Sequence, residues 1–305
     1  MWEGTAMLRP GTLTYSGRIG NAHRHHHAAA QLVVATEGRI GVRDADGDLE
    51  EARAALIPAG HIHEMIGAAT GLLIFADASS ALGRALNARV RETGLPPGSA
   101  AAWVRAAAPL DRTPLHHPLG ELPRDRRSGD TRPNEQLPGH DSGHSSAEPA
   151  DAAGDTPTTH GPAGGGSAAG TLAADSGLAA DLLARLVGDE GGGAGPEHPA
   201  LRRALVLVPG MLDGPVRLTE LAGAVGISAS RLGHLFAAEV GMGFPPYLRW
   251  ARLRHAMEHA RRGGTLTAAA HAAGFADSAH LTRVCHEMFG LTPSELVRRV
   301  ALVRS

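Results

Sequence analysis

Between Pro123 and Gly170 the chain has no aromatic residue, no Ile, no Val and a single leucine, Leu137. Pro, Gly, Ser, Thr and acidic residues fill the stretch instead. A segment this poor in apolar side chains cannot bury enough surface to offset the entropy of ordering it, so we expect a disordered linker over 111–170. It divides the 305 residues into two functional halves, and two domains is the better expectation than one. His140, His144 and His160 lie in the linker and read as solvated bystanders.

The charge follows the same division. The net charge of -2 averages a balanced segment 1–110, an acidic 111–200 at -8 and a basic 201–305 at +6. A basic compact region behind an acidic tether is a nucleic-acid pattern. All 29 basic residues are arginine, which with abundant Ala and Gly reflects a GC-rich coding sequence as much as a DNA surface. The single Cys285 excludes an intrachain disulfide framework. No apolar run approaches the roughly 18 residues of a membrane span, and no secretory pattern opens the chain, so a soluble cytoplasmic protein without a membrane partner is expected.

In the front half, short apolar runs separated by Gly, Asp and Pro predict strands at Gln31–Thr36, Arg39–Arg43, Ala52–Pro58 and Gly71–Asp77, with hairpin chemistry in DADGD (Asp44–Asp48). Strands at this spacing suggest a small β-barrel or sandwich. A helix follows from about Ser79 to Glu92, with Leu82, Leu86 and Val90 on one face. Behind the linker, Thr171–Gly188 spaces its leucines for an amphipathic helix ahead of a Gly-rich connector that ends near 196.

From 197 onward helix signals repeat. Leu218–Phe236 places Leu218, Leu221, Ala222 and Val225 on one face, turns at Gly226, plugs the angle with Ile227, caps with Ser228 and resumes with Leu232, Leu235 and Phe236. That is the layout of a helix-turn-helix, with Ser230, Arg231 and His234 turned outward. Leu266–Cys285 is an approximate second copy, with Gly274 at the turn, Phe275 as the plug, and Ser278, His280, Thr282 and Arg283 outward. Pro245–Arg262 joins them as one helix of roughly 27 Å, against roughly 34 Å between successive major-groove faces. Arg231 and Arg283 are therefore candidates for guanine, and Arg249, Arg252 and Arg254 for phosphate. Cys285 reads as a buried small hydrophobe.

Residues 200–300 resemble the AraC/XylS family of transcription regulators. The resemblance is carried by Leu218–Ser228, Arg231–Phe236, GFPPYLRWARL (Gly243–Leu253) and GFADSAHLTRVCHEMFGLTPSEL (Gly274–Leu296). Leu281 and Cys285 stand where aromatic residues are usual, and Leu296 where Tyr is usual. The resemblance implies promoter DNA as partner through a double helix-turn-helix over 197–305, contact with RNA polymerase and a homodimer. It also implies a cupin-type barrel over 1–110 that binds a small-molecule effector or dimerises the chain. The whole is then an α+β multidomain protein.

Two patterns resemble the cupin motifs: His25-x-His27-x3-Gln31-x6-Gly38 and Pro58-x-Gly60-x2-His63, with Gln31 in place of Glu. On alternate strand positions His25 and His27 share a face and converge with His63, while His23, His26 and His61 fall out of the set. Three imidazoles suit a divalent transition metal, although no cofactor is required and the same side chains, with Gln31, suit an effector pocket. Glu64 is either a surface charge or a ligand contact. Three readings of the barrel stay open: an effector sensor in a non-enzymatic regulator, a metal-dependent cupin enzyme fused to a DNA-binding module, and a barrel that only dimerises.

Overall fold

The computed structural model describes residues 2–111, 165–188, 196–293, 295–296 and 300–303, with backbone alone for 165–174. The front half is a two-sheet β-domain. Its strands are β1 (Glu3–Arg9), β2 (Thr12–Ile19), β3 (Ala22–His25), β4 (Ala29–Glu37), β5 (Ile40–Arg43), β6 (Leu49–Ala52), β7 (Ala54–Ile57), β8 (His63–Ile66) and β9 (Ala69–Asp77). One sheet runs β1-β2-β9-β4-β7 and the other β3-β8-β5-β6, all antiparallel.

The central strand β4 is buried from Ala29 to Ala35, on both faces. A strand can be apolar on both faces only if a second layer covers each. Here the helices α1 (Ala81–Arg91) and α2 (Ala100–Ala107) supply the outer layer, packing on β4, β7 and β9. Ser80 and Ser99 cap them by accepting from the Gly83 and Ala102 N–H groups. Leu86 and Val90 are fully buried and Leu82 partly so, as the periodicity predicts. The DADGD turn is built on Asp44, whose carboxylate accepts from the Asp46 and Asp48 N–H groups at 3.0 Å each and from Ala100 N at 2.9 Å. One buried carboxylate thus fixes both the hairpin and the start of α2.

The predicted linker lies outside the described residues from 112 to 164. Helix α3 (Gly165–Val187) begins six residues ahead of its expected start, inside the segment read as linker. The remaining helices are α4 (Pro199–Leu207), α5 (Leu218–Ala224), α6 (Ala229–Leu235), α7 (Phe244–Arg261), α8 (Leu266–Ala272) and α9 (Ser278–Phe289), followed by a strand β10 (Val300–Val303). The pairs α5–α6 and α8–α9 are the two helix-turn-helix units. At their turns Gly226 and Gly274 adopt φ of +77° and +69°, a backbone that favours glycine. Ser228 caps α6 and Asp277 caps α9.

The back half docks on the front half within one compact unit. Strand β10 adds in parallel to the outer edge of β1, Gly4 pairing with Val300 and Met7 with Val303. Helix α9 packs against β3. Gly290, which ends α9 at φ +66°, sits so close to β3 that a β-carbon there would lie 2.7 Å from the His23 carbonyl oxygen.

Candidate functional site

The register of β3 against β8 makes His25 and His63 direct cross-strand partners. Their ring centroids lie 4.1 Å apart, and the His27 ring, on the segment leading into β4, lies 5.0 Å from His63. One nitrogen from each of the three comes within 4.8 Å of the others. Each Nδ1 is tied to a backbone carbonyl: His25 to His23 at 2.6 Å, His27 to Ala29 at 2.8 Å, His63 to His61 at 3.0 Å. A ring that donates through Nδ1 carries its lone pair on Nε2. Burial is the largest cause that lowers all three from their ordinary value, His25 to about 3, His27 to about 4 and His63 well below it, so the rings are neutral near pH 7.

Two features bear on what the cluster can hold. The His63 Nε2 is buried and meets no hydrogen-bond partner among the described residues. The His27 Nε2 lies 2.7 Å from Gln31 Oε1 while its Nδ1 faces Ala29, yet a neutral ring can donate to only one of these acceptors. The donor set fits a divalent transition metal: three neutral imidazoles, each oriented by a backbone carbonyl. Gln31 is fully buried on β4 and also reaches Met65 Sδ at 3.0 Å, so it belongs to the pocket wall. His23 is exposed and His26 and His61 are half-buried; alternation accounts for His26, whereas His23 sits at a register irregularity in β3 and His61 lies ahead of β8. Glu64 is bound to Arg43 at 3.2 Å and takes no part.

Beside the histidines lies a cavity of about 110 Å³. Leu13, Tyr15, Leu73 and Phe75 line it from the β-domain, and Leu253, Leu281 and Phe289 close it from α7 and α9. An aromatic chain runs from His27 to Phe75 (5.1 Å), from Phe75 to Phe289 (5.6 Å) and from Phe289 to Trp250 (5.9 Å). The Trp250 indole N–H donates to Asp77 Oδ1 at 2.7 Å, and Arg254 pairs with Asp77 Oδ2 at 2.5 Å. The carboxylate at the end of β9 thereby anchors the helix that joins the two helix-turn-helix units. Glu287 adds a second tie: its carbonyl accepts from His26 N at 3.2 Å and its carboxylate meets Arg249 at 3.4 Å.

The predicted reading residues separate by exposure. Ser230, Arg231 and His234 on α6 and Arg283 on α9 are exposed. Ser278, His280 and Thr282 are half-buried: the Thr282 hydroxyl donates to the Ser278 carbonyl, and the His280 ring meets Phe275 edge-on at 5.2 Å. The three α7 arginines offered for phosphate are engaged within the protein. Arg254 spends its guanidinium on Asp77 and the Arg9 carbonyl, and Arg252 donates to the Gly214 carbonyl at 2.7 Å. Both are structural struts in this arrangement, and Arg249 is paired with Glu287. Position on α7 gave their charge but not their direction, because that helix meets protein on more than one side. The sequence reading missed Asp77 and Trp250 altogether, since nothing local marks an acceptor and a donor 173 residues apart.

The back half is thus a double helix-turn-helix of the DNA-reading type, set behind a β-domain with a buried histidine pocket. Residues 221–299 match a family described as a helix-turn-helix domain. Over 106 residues the chain is 33% identical to the HTH-type transcriptional regulator GlxA of Rhizobium meliloti (strain 1021), a match that covers 34% of this chain and 33% of that protein. The chain therefore spans about a third of the length of this curated relative. A probable AraC family transcriptional regulator from Rhodopseudomonas palustris is 28% identical, covering 33% of this chain and 97% of that one, with a TM-score of 0.31. ToxT from Vibrio cholerae aligns over 95% of this chain and 98% of its own at 10% identity and a TM-score of 0.49. The C-terminal region is a helix-turn-helix domain.

Proposed function

We propose that the chain is a transcription regulator that binds promoter DNA through its two helix-turn-helix units and responds to a small molecule held by its β-domain. The observation that carries the reading is the pair of capped reading helices, α6 and α9, which offer Arg231 and Arg283 to solvent within the region that matches the helix-turn-helix family. One subunit then reads an asymmetric half-site, and a homodimer reads two. RNA polymerase is its partner at the promoter. We place the protein in the cytoplasm, in keeping with the absence among the described residues of any helix long and apolar enough to cross a membrane. We assign it no catalytic chemistry. Gel-shift titration against promoter-derived and scrambled duplexes tests the reading: a preference for the promoter sequence is expected, and equal affinity for both would sink it.

The orphaned His63 Nε2 favours a second element, a divalent transition metal held by His25, His27 and His63. When bound, such an ion supplies a Lewis-acidic point for an oxygen or nitrogen of the effector. Metal analysis of purified protein is expected to find an ion that His63→Ala loses. Metal-free wild-type protein that still binds promoter DNA would remove the metal and leave the regulator.

A further inference from the structure

We infer that the cavity is the effector site, that it takes a neutral, largely apolar molecule about the size of one aromatic ring, and that its occupancy acts on the second helix-turn-helix unit alone. The inference rests on the regulator reading above and names its ligand class and its route of action.

The lining decides the ligand class. No Arg, Lys, Asp or Glu is among the described residues that line the cavity. With no ion on the histidines, burying an ionised ligand without a partner charge is expensive, so a carboxylate or an amine is disfavoured in the metal-free chain. Trp2 and Tyr15 spend their polar atoms on backbone carbonyls, which leaves His25 and Gln31 as the lining side chains that offer hydrogen-bonding groups to a hydroxyl, carbonyl or ring nitrogen. The volume of about 110 Å³ compares with the roughly 150 Å³ of an engineered apolar cavity that takes up benzene.

The same lining decides the route. Leu281 and Cys285 of α9 and Leu253 and Ala256 of α7 form the wall opposite the β-domain, whereas no residue of α5 or α6 reaches it. Arg283 is exposed on α9, the helix that offers Leu281, Cys285 and Phe289 to the cavity. A ligand pressing on that wall therefore shifts the α9 reading surface and leaves that of α6 in place. The ties from Asp77 to Trp250 and from the His26 N–H to the Glu287 carbonyl hold this wall against the β-domain in the absence of ligand. The half-site read by α9 becomes ligand-dependent, and the half-site read by α6 does not.

The test uses the full chain with toluene and phenol as probes, and benzoate and benzylamine as charged counterparts. The neutral pair is expected to raise Tm by about 2–4 °C at ten times Kd, and the charged pair to leave it unchanged. Cys285→Leu, or Ala256→Val should the first variant not fold, fills the space and abolishes the Tm shift. With duplexes selected from a random library, phenol is expected to change affinity by about fivefold or more where base changes lie in the α9 half-site, and not where they lie in the α6 half-site. No shift with the neutral probes, equal shifts with the charged ones, a persistent shift in both filled variants, or equal effects on the two half-sites would overturn the inference. These outcomes are separable from the regulator reading, which fails only if the unliganded wild-type chain shows no sequence preference.

Discussion

Replacing Asp77 with alanine is expected to loosen the attachment of the DNA-binding helices to the β-domain. The Asp77 and Arg254 side chains are 19% and 14% exposed and meet at 2.5 Å, and Trp250 donates to the same carboxylate. Removing one partner of a buried ion pair costs about 3–5 kcal/mol, chiefly because the other charge stays buried and unpaired. The lost indole hydrogen bond overlaps this figure, and partial access of water to both groups pulls the total to about 3 kcal/mol. Urea unfolding followed by tryptophan fluorescence reads the change as a lower midpoint. Arg254→Met removes the stranded charge, so the double variant should recover stability, with a coupling of about 1.5–3 kcal/mol in a double-mutant cycle. A single variant within about 0.5 kcal/mol of wild type, or a coupling near zero, would refute the reasoning. The two halves would then be held by apolar packing, the β1–β10 pairing and the His26–Glu287 backbone bond.

Other outcomes follow from the same geometry. Arg283→Ala is expected to relax sequence preference by about 1–3 kcal/mol at the bases it reads, whereas Arg252→Ala lowers the unfolding midpoint without changing the salt dependence of DNA binding, because its guanidinium holds the Gly214 carbonyl. Gel shifts at two salt concentrations beside a urea titration separate the two. For metal-free protein, stability should fall as pH drops below about 6.5. Unfolded histidines take up protons there, whereas folded His25 and His27 resist until about 3 and 4. Between pH 7 and pH 5 this amounts to about 2 kcal/mol for each buried histidine. His25→Gln should flatten the slope, and a urea midpoint independent of pH over that range would contradict the burial argument. Cys285, whose thiol burial pushes up to about 12, should react with iodoacetamide at pH 8 far more slowly in the native chain than in urea.

How much of this was legible in the sequence depended on the range of the interaction. The helix-turn-helix pairs are local: an apolar face, a glycine turn, a cap. Their bounds fall close to the predicted ones, with Ser228 accepting from Arg231 N. The separation of buried His25 and His27 from exposed His23 was not legible in this way, because alternation would put all three on one face and β3 has a register irregularity between Ala22 and His25. The strands β1 and β2 were missed although Pro10-Gly11 is a recognisable turn, because Gly and Thr dilute their apolar pattern. The pairing of β10 with β1 joins opposite ends of the chain, and no pattern in either strand specifies it. Arg254 illustrates the same limit at the site. Its charge on a DNA-reading domain suggested phosphate, but its direction was set by a carboxylate in the other half of the chain.

Selection of bound sequences from a random duplex library, with the purified full chain, tests the central claim most directly. The account predicts an enriched asymmetric site with two information-rich patches about one helical turn apart, one lost in Arg231→Ala and the other in Arg283→Ala. Recovery of no enriched sequence, or of a single patch insensitive to both substitutions, would contradict it.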